Sequence, residues 1–264
     1  MSRPQRPKVI TGNWKMHMTL DDATSFVHQL IPATRDCTTQ IFLAVPFTMI
    51  QTLAKEAEGS HVVIGAQNMN DASQGAFTGE IAGSMLVEVG AKFVLLGHSE
   101  RRHLFKEKNE FINRKVKRAI EVGLRPVLCI GETKEEHQAG RTREILRQQL
   151  VGGLLGISAE ALENLIVAYE PVWAVGTGEP ATPEIAQQEH RFCREILSEI
   201  LAPELAEKIV IQYGGSVTPA NAKQLLSQPD IDGLLIGGAS LSLASFTQIV
   251  NDSESVLHSK VESL

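Results

Sequence analysis

Eight short apolar runs, separated by turns and by segments of helical character, constrain most strongly how this sequence can fold. Continuous apolar runs are typical of strands that are buried on both faces, as in parallel sheets. The runs are rich in Val, Ile and Leu and lie at Val9–Gly12, Ile41–Ala44, Val62–Ala66, Phe93–Leu96, Pro126–Ile130, Leu165–Tyr169, Ile209–Tyr213 and Leu234–Ile236. Segments with helical patterning lie between them, including Asp21–Leu30, Ile112–Val122, Thr142–Leu150, Thr182–Leu201 and Pro219–Ser227.

The spacing of the runs indicates how the strands are connected. Eight strands in this chain leave about 33 residues for each, which is the size of one βα unit. Right-handed crossovers then allow an open doubly wound sheet or a closed barrel. The count of eight favours the barrel, so we predict an α/β fold over residues 1–264, a single (β/α)8 barrel with a closed parallel sheet and outer helices. Thr182 and Thr218, each followed by proline, predict helix starts, and Gly123 predicts a helix end.

Composition excludes several classes of protein. Asp and Glu total 31 and Lys and Arg total 25, so the net charge of −6 offers no basic field for nucleic acid. No apolar stretch approaches the roughly 20 residues of a membrane span, and no signal peptide is evident. An odd, sparse cysteine count is typical of a reducing compartment. We therefore expect a cytoplasmic protein without membrane or nucleic-acid partners.

Polar residues follow the apolar runs at the point where active sites of such barrels lie. Asn13 and Lys15 follow the first run, and an extended chain would aim both side chains the same way. A lysine there could neutralise a substrate anion or a developing oxyanion, although lysines past a strand are more often simply exposed.

His98 comes two residues after the fourth run, and Glu170 directly follows the sixth run. A helix N-terminus after His98 would disfavour the imidazolium, and a neutral imidazole can donate to a carbonyl and pass a proton. Glu170 is a candidate general base because burial raises the proton affinity of a carboxylate. A turn-capping histidine and an ion-paired carboxylate are the structural alternatives.

Glycine-rich segments complete the pattern. Pro171–Gly178 has a stiff proline end and a flexible glycine end, a composition that suits a lid. Gly214-Gly215 and Gly237-Gly238 follow the seventh and eighth runs, where backbone N–H groups of barrels recurrently bind phosphate. The sequence contains no dinucleotide fingerprint, P-loop or metal-ligand motif, so we expect neither cofactor nor metal.

Taken in order, these segments resemble the triosephosphate isomerase family, and the resemblance covers roughly residues 8–256. The resemblance implies a metal-free interconversion of dihydroxyacetone phosphate and glyceraldehyde 3-phosphate through an enediolate, as part of glycolysis and gluconeogenesis. The segments that carry it are Gly12–Lys15, Leu96–Arg102, Ala168–Gly178, Tyr213–Ser216 and Gly237–Ser240.

The roles that the resemblance implies fall into four groups. Glu170 would move the carbon-bound proton, neutral His98 would polarise the carbonyl, and Lys15 with Asn13 would stabilise the developing oxyanion. In this family the surroundings of the catalytic groups tune their pKa values. Binding of the substrate phosphate is implied for Asn13, Lys15, Gly176, Ser216, Gly237 and Gly238. Supporting or lid positions are implied for Ser99, Glu100, Glu132, Pro171, Trp173, Gly178 and Tyr213.

The resemblance also implies a homodimer. Thr78 would reach from one subunit into the site of the other, near Asn13 and His98. His17 departs from the family, which often has Asn there, and this affects only fine interface contacts.

Two other readings of the residues remain open at this point. A different barrel enzyme acting on a phosphorylated sugar, such as an epimerase or an aldolase, would share the two-glycine phosphate site. A non-catalytic binding protein could keep the barrel, but loss of Lys15, His98 or Glu170 would be expected, and all three are present.

Overall fold

Eight parallel strands close into a barrel in the computed structural model, which describes residues 6–174 and 181–261, without the side chains of the last three. Each strand pairs with the strands before and after it, and β1 closes on β8. The strands are β1 Val9–Asn13, β2 Gln40–Val45, β3 Val62–Ala66, β4 Phe93–Leu96, β5 Arg125–Ile130, β6 Ile166–Tyr169, β7 Val210–Tyr213 and β8 Gly233–Ile236. The predicted (β/α)8 barrel is confirmed.

Helices surround the barrel. Within the described residues, single turns of 3-10 helix lie at Phe47–Met49, Glu160–Leu162, Val172–Ala174 and Gly238–Leu241. The α-helices are α1 Leu20–Ala33, α2 Ile50–Glu56, α3 Gly83–Glu88, α4 Ser99–His103, α5 Asn109–Glu121, α6 Lys134–Gln138, α7 Thr142–Leu154, α8 Pro183–Ile200, α9 Pro203–Ala206, α10 Pro219–Leu226 and α11 Leu243–Val261.

Local sequence explains where several helices begin and end. The Thr182 side chain accepts from the Ile185 N–H, and Pro183 occupies the first turn of α8. Thr218 and Asn221 form a reciprocal capping box at α10. Gly123 follows α5 with a φ of +82°, a left-handed conformation that favours glycine. These three boundaries confirm the sequence predictions.

The register of the strands sets where the site forms. Gly12 of β1 lies opposite Leu43 of β2 and Ile236 of β8, so the carboxyl ends of the strands meet at one rim. A smaller apolar cluster that includes Phe42 and Phe93 fills the barrel interior, and a larger one packs the sheet against the helices. No helix in the described ranges is long and apolar enough to cross a bilayer.

Candidate active site

Glu170 is the first residue after β6 and lies inside the rim, 3% exposed. Its N–H donates to the Ile130 carbonyl at 2.7 Å, so the β5 ladder continues one residue past the end of β6. Gly131 and Gly214 flank it closely: a Cβ on Gly131 would overlap the Glu170 carbonyl, and one on Gly214 would lie 2.8 Å from Glu170 Cγ. Glycine is needed at position 131 because the Glu170 backbone approaches so closely, and glycine at position 214 leaves room for the Glu170 side chain.

The carboxylate of Glu170 faces the residues that end β4. Oε1 lies 2.9 Å from His98 Nε2, and Oε2 accepts the Ser99 N–H at 3.0 Å. His98 is the N-cap of α4, and its Nδ1 accepts the Glu100 N–H at 3.3 Å. An acceptor at Nδ1 leaves the proton on Nε2, so the ring donates to Glu170.

The electrostatics of His98 differ from the sequence prediction. Burial lowers the pKa of His98, but the charge and hydrogen bond of Glu170, joined by Glu100, more than offset it and raise the pKa above its usual range. The sequence prediction was a neutral ring favoured by the helix N-terminus, and Nδ1 accepts the Glu100 N–H as a neutral ring can. The carboxylates of Glu170 and Glu100 move the pKa of His98 in the direction opposite to that prediction.

Lys15 reaches the same cavity by a route that the sequence pattern did not predict. β1 ends at Asn13, and Lys15 adopts a left-handed φ of +53°. The chain is therefore not extended from Asn13 to Lys15, and the predicted reason for their side chains to point the same way is wrong. The Asn13 Oδ1 accepts the Lys15 N–H at 3.1 Å and supports this strained backbone. Lys15 Nζ lies 2.6 Å from Glu100 Oε1. Burial alone would raise the pKa of Glu100, but the bond from Lys15 and the charges of His98 and Lys15 lower it.

These groups line a cavity of about 280 Å³. Asn13, Lys15, His98 and Glu170 line it together with the segments after β7 and β8, which include Ser216, Gly237 and Gly238. Gly238 begins a turn of 3-10 helix, and the Ser240 hydroxyl donates to the Gly237 carbonyl at 2.6 Å. Backbone N–H groups at such a turn suit an anion.

Glu132 lies behind Glu170 and is fully buried. Its Oε1 accepts Trp173 Nε1–H at 2.7 Å and the Tyr169 hydroxyl at 3.2 Å. Its carbonyl accepts the Val172 N–H at 3.0 Å, so one residue holds the Pro171–Ala174 turn by both its backbone and its side chain. The predicted meeting of Glu132 and Trp173 is present.

The remaining predicted positions are distributed as follows. The Ser216 N–H donates to the Ala174 carbonyl at 2.9 Å, which joins the β7 segment to that turn. Burial raises the pKa of Tyr213 to about 12. Thr78 is exposed, on the loop after β3. Gly176 and Gly178 lie outside the described residues.

Two residues that sequence reasoning missed support the site. Gln67 donates from Nε2 to the Lys15 and Ala44 carbonyls at 2.8 and 3.0 Å. Arg102 donates to the Gly97 and Cys129 carbonyls at 2.7 and 2.9 Å, and burial lowers its pKa to about 10. Gln67 directly follows β3, which is the available signal in the sequence.

The arrangement suits proton abstraction next to a carbonyl. A buried carboxylate can take the proton, an imidazole donor and a lysine can stabilise the oxyanion, and backbone N–H groups can hold a remote anion. These groups line one cavity and come from the ends of five strands, β1, β4, β6, β7 and β8.

Comparisons with known proteins agree with this chemistry. The sequence profile of the family described as triosephosphate isomerase matches residues 8–253. Triosephosphate isomerase from Protochlamydia amoebophila is 61% identical over 264 residues, which covers all of both chains. The enzymes of that name from Fusobacterium nucleatum and Carboxydothermus hydrogenoformans are 50% and 48% identical, and the matches cover 93% and 94% of this chain and 98% and 99% of theirs.

Proposed function

The chain belongs to the triosephosphate isomerase family and interconverts dihydroxyacetone phosphate and glyceraldehyde 3-phosphate, and from that premise we propose which residues move the protons. The observation that carries the assignment is the 2.9 Å contact between Glu170 Oε1 and His98 Nε2 on the wall of the cavity that Lys15 also lines. A base and an oxyanion donor this close can act on neighbouring atoms of one small substrate.

Glu170 takes a proton from the carbon next to the carbonyl. The C–H electron pair becomes the C=C bond of the enediolate, and the carbonyl π pair moves to oxygen. Glu170 then returns the proton to the neighbouring carbon. With substrate bound, Glu170 must leave the Ser99 N–H to reach the carbon, because both oxygens are engaged in the substrate-free protein.

His98 donates from Nε2 to the carbonyl oxygen and passes a proton between the two oxygens. Proton uptake discharges Glu170, and this removes the main cause that raises the pKa of His98. Burial then favours the neutral imidazole, which the resemblance implied. Lys15 stabilises the oxyanion with its charge, and Asn13 holds the lysine backbone.

The substrate phosphate binds at Ser216, Gly237 and Gly238, which line the cavity together with Glu170. The N–H groups of Gly237 and Gly238 face the phosphate, and the Ser216 N–H joins them once its bond to the Ala174 carbonyl opens. Lys15 is positioned for the phosphate too, since a Cβ on Gly237 would lie 3.5 Å from Lys15 Cε. The sequence resemblance alone supports two further proposals. Gly176 would be another phosphate ligand, and Gly178 would be the second hinge of a lid that starts at Pro171.

The active form is proposed to be a homodimer. Met16, Phe47 and Phe77 are 94%, 39% and 51% exposed and lie in the segments that follow β1, β2 and β3 at the carboxyl rim. Large apolar side chains exposed at one end of a protein favour an interface there. Thr78, next to Phe77, would complete the partner's site near Asn13 and His98.

We also propose that the chain forms one barrel domain and is cytoplasmic. One barrel domain over residues 1–264 is supported by the closure of β1 on β8. A cytoplasmic location is supported by the free cysteines Cys37, Cys129 and Cys193, two of which are buried.

The coupled assay on glyceraldehyde 3-phosphate, with wild type beside Glu170→Asp, tests the base. The substitution withdraws the carboxylate by about one methylene, and a misplacement near 1 Å can cost on the order of 100-fold in rate. A large loss of kcat with little change in circular dichroism supports Glu170 as the base. An active enzyme indifferent to the substitution would remove Glu170 from that role.

A further inference from the structure

His137, on α6, stacks on the indole of Trp173. The ring centroids are 4.3 Å apart and the planes are inclined by 22°. Trp173 lies three residues after Glu170, in the turn that Glu132 holds from its side chain and its backbone. The indole is therefore fixed at its N–H edge by a carboxylate and on one face by an imidazole.

The surroundings of this stack are rich in buried negative charge. Glu132 is fully buried, and its Oε2 accepts no hydrogen bond from any described residue. Glu189, on α8, lies nearby: burial raises its pKa, Arg143 opposes this, and the charge of Glu132 adds to it. Arg143 Nε is 3.5 Å from Glu189 Oε2, so one arginine lies beside Glu189 in a region that also holds the carboxylate of Glu132.

A proton on His137 would bring a second positive charge into this region. Its Nδ1 lies 3.5 Å from Glu132 Oε1 and 3.2 Å from Thr142 Oγ1, and its charge also acts on Glu189. Histidine is the side chain whose charge ordinarily changes between pH 5 and 8.

The other charged groups around α6 are engaged elsewhere or lie at its outer side. Glu136 accepts the Thr133 N–H at 2.8 Å, and Arg141 is paired with Glu144 at 2.7 Å. Lys134 and Glu135 are exposed, and His103 of α4 faces the Glu135 and Glu136 end of the helix.

We propose that His137 is a positioning residue for the proton transfer at Glu170, and that its protonation tightens the hold on Trp173 and slows the chemical step. A protonated imidazole adds a cation–π contact to the indole and an ion pair to Glu132. Both contacts stabilise the turn in its present arrangement, in which Glu170 is engaged with Ser99 and His98. The inference rests on the proposed role of Glu170.

Fluorescence tests the hold on Trp173 directly. The chain has two tryptophans, and Trp14 is buried against Phe26, away from the stack. A protonated imidazole in contact with an indole quenches its emission, so wild-type fluorescence should fall as the pH is lowered from 8 to 5. His137→Gln should abolish that fall, and Trp173→Phe should remove the emission that changes with pH.

The pH profile of kcat tests the effect on chemistry. With saturating glyceraldehyde 3-phosphate, His137→Gln should lose less activity than wild type between pH 8 and pH 5.5. The expected difference is about two- to fivefold, the size of a cation–π contact near the surface. The KM should change little, because His137 does not line the cavity.

His28→Gln is the matched control. His28 is another exposed histidine paired with a carboxylate, Glu56, at 2.6 Å, but on α1. It should behave as wild type in both measurements. Quenching that persists in His137→Gln would overturn the proposal, as would lost quenching with an unchanged kcat profile. A wild type inactive at every pH would instead refute the proposed proton-transfer machinery, and the fluorescence would still report on the stack.

Discussion

Replacing Gly214 with alanine tests how tightly the site positions its base. The added Cβ would lie 2.8 Å from Glu170 Cγ, 3.3 Å from the Tyr169 carbonyl oxygen and 3.6 Å from Leu235 Cβ. Ordinary carbon–carbon contacts lie at about 3.5–4.0 Å. The Glu170 side chain must therefore shift by roughly 0.7 to 1 Å, since the backbone and Leu235 leave the new methyl no other direction.

The size of that shift sets the expected loss of activity. A misplacement of about 1 Å at a reacting group can cost on the order of 100-fold in rate. We expect kcat of Gly214→Ala to fall about 10- to 100-fold in the coupled assay, which corresponds to about 1.4 to 2.7 kcal/mol. The KM should change less, because Gly214 contacts the base and not the proposed phosphate ligands.

Gly83→Ala, at the start of helix α3, provides the control. Its Cβ would lie 2.8 Å from Met69 Cε and 3.0 Å from Val122 Cγ2, which do not line the cavity, and the variant should leave kcat unchanged. Thermal unfolding of both variants would show that the fold is intact. A Gly214→Ala enzyme within about twofold of wild type in kcat would refute the claim that Glu170 is held to sub-ångström precision.

Three further predictions concern charge, pH and assembly. Lys15→Met should lower kcat/KM in the coupled assay by about 10² to 10³-fold, as expected for the loss of one oxyanion donor, and a loss below tenfold would argue against that role. Burial lowers the pKa of His190 to about 3, so the unfolded chain binds a proton below about pH 6.5 that the folded protein does not. The free energy of unfolding should therefore decrease by about 2 kcal/mol as the pH is lowered from 7 to 5, and this decrease, measured by urea unfolding, should be absent in His190→Gln; an equal decrease in both proteins would contradict it. Phe77→Glu should yield monomers in sedimentation velocity and reduce activity, whereas an unchanged sedimentation coefficient would contradict the proposed interface.

The barrel and most of the site could be predicted from sequence because they depend on local patterns. Buried parallel strands leave continuous apolar runs, and parallel connections place their carboxyl ends at one rim. Glu170 directly follows its run and His98 comes two residues after its run, so the topology brings both to the rim, where they lie 2.9 Å apart.

Other features depend on contacts that no local pattern encodes. Lys15 reaches the cavity through a left-handed backbone that Asn13 and Gln67 hold in place, and its position on an extended chain gives no sign of this. The pKa of His98 moves upward because Glu170, 72 positions away, faces it at hydrogen-bond distance. The stack of His137 on Trp173 joins helix α6 to the turn after β6, two segments far apart in the sequence, and no local pattern predicts it.

The claim that Glu170 carries the proton between substrate carbons is tested most directly by isotope exchange. Dihydroxyacetone phosphate is incubated with the enzyme in D2O, and proton NMR follows both glyceraldehyde 3-phosphate formation and deuterium at the reacting carbons. Wild type should form product and incorporate deuterium, whereas Glu170→Gln, which keeps the shape and removes the base, should do neither at a rate above about one thousandth of wild type. Carbon-bound deuterium appearing at the wild-type rate in Glu170→Gln would show that another group takes the proton.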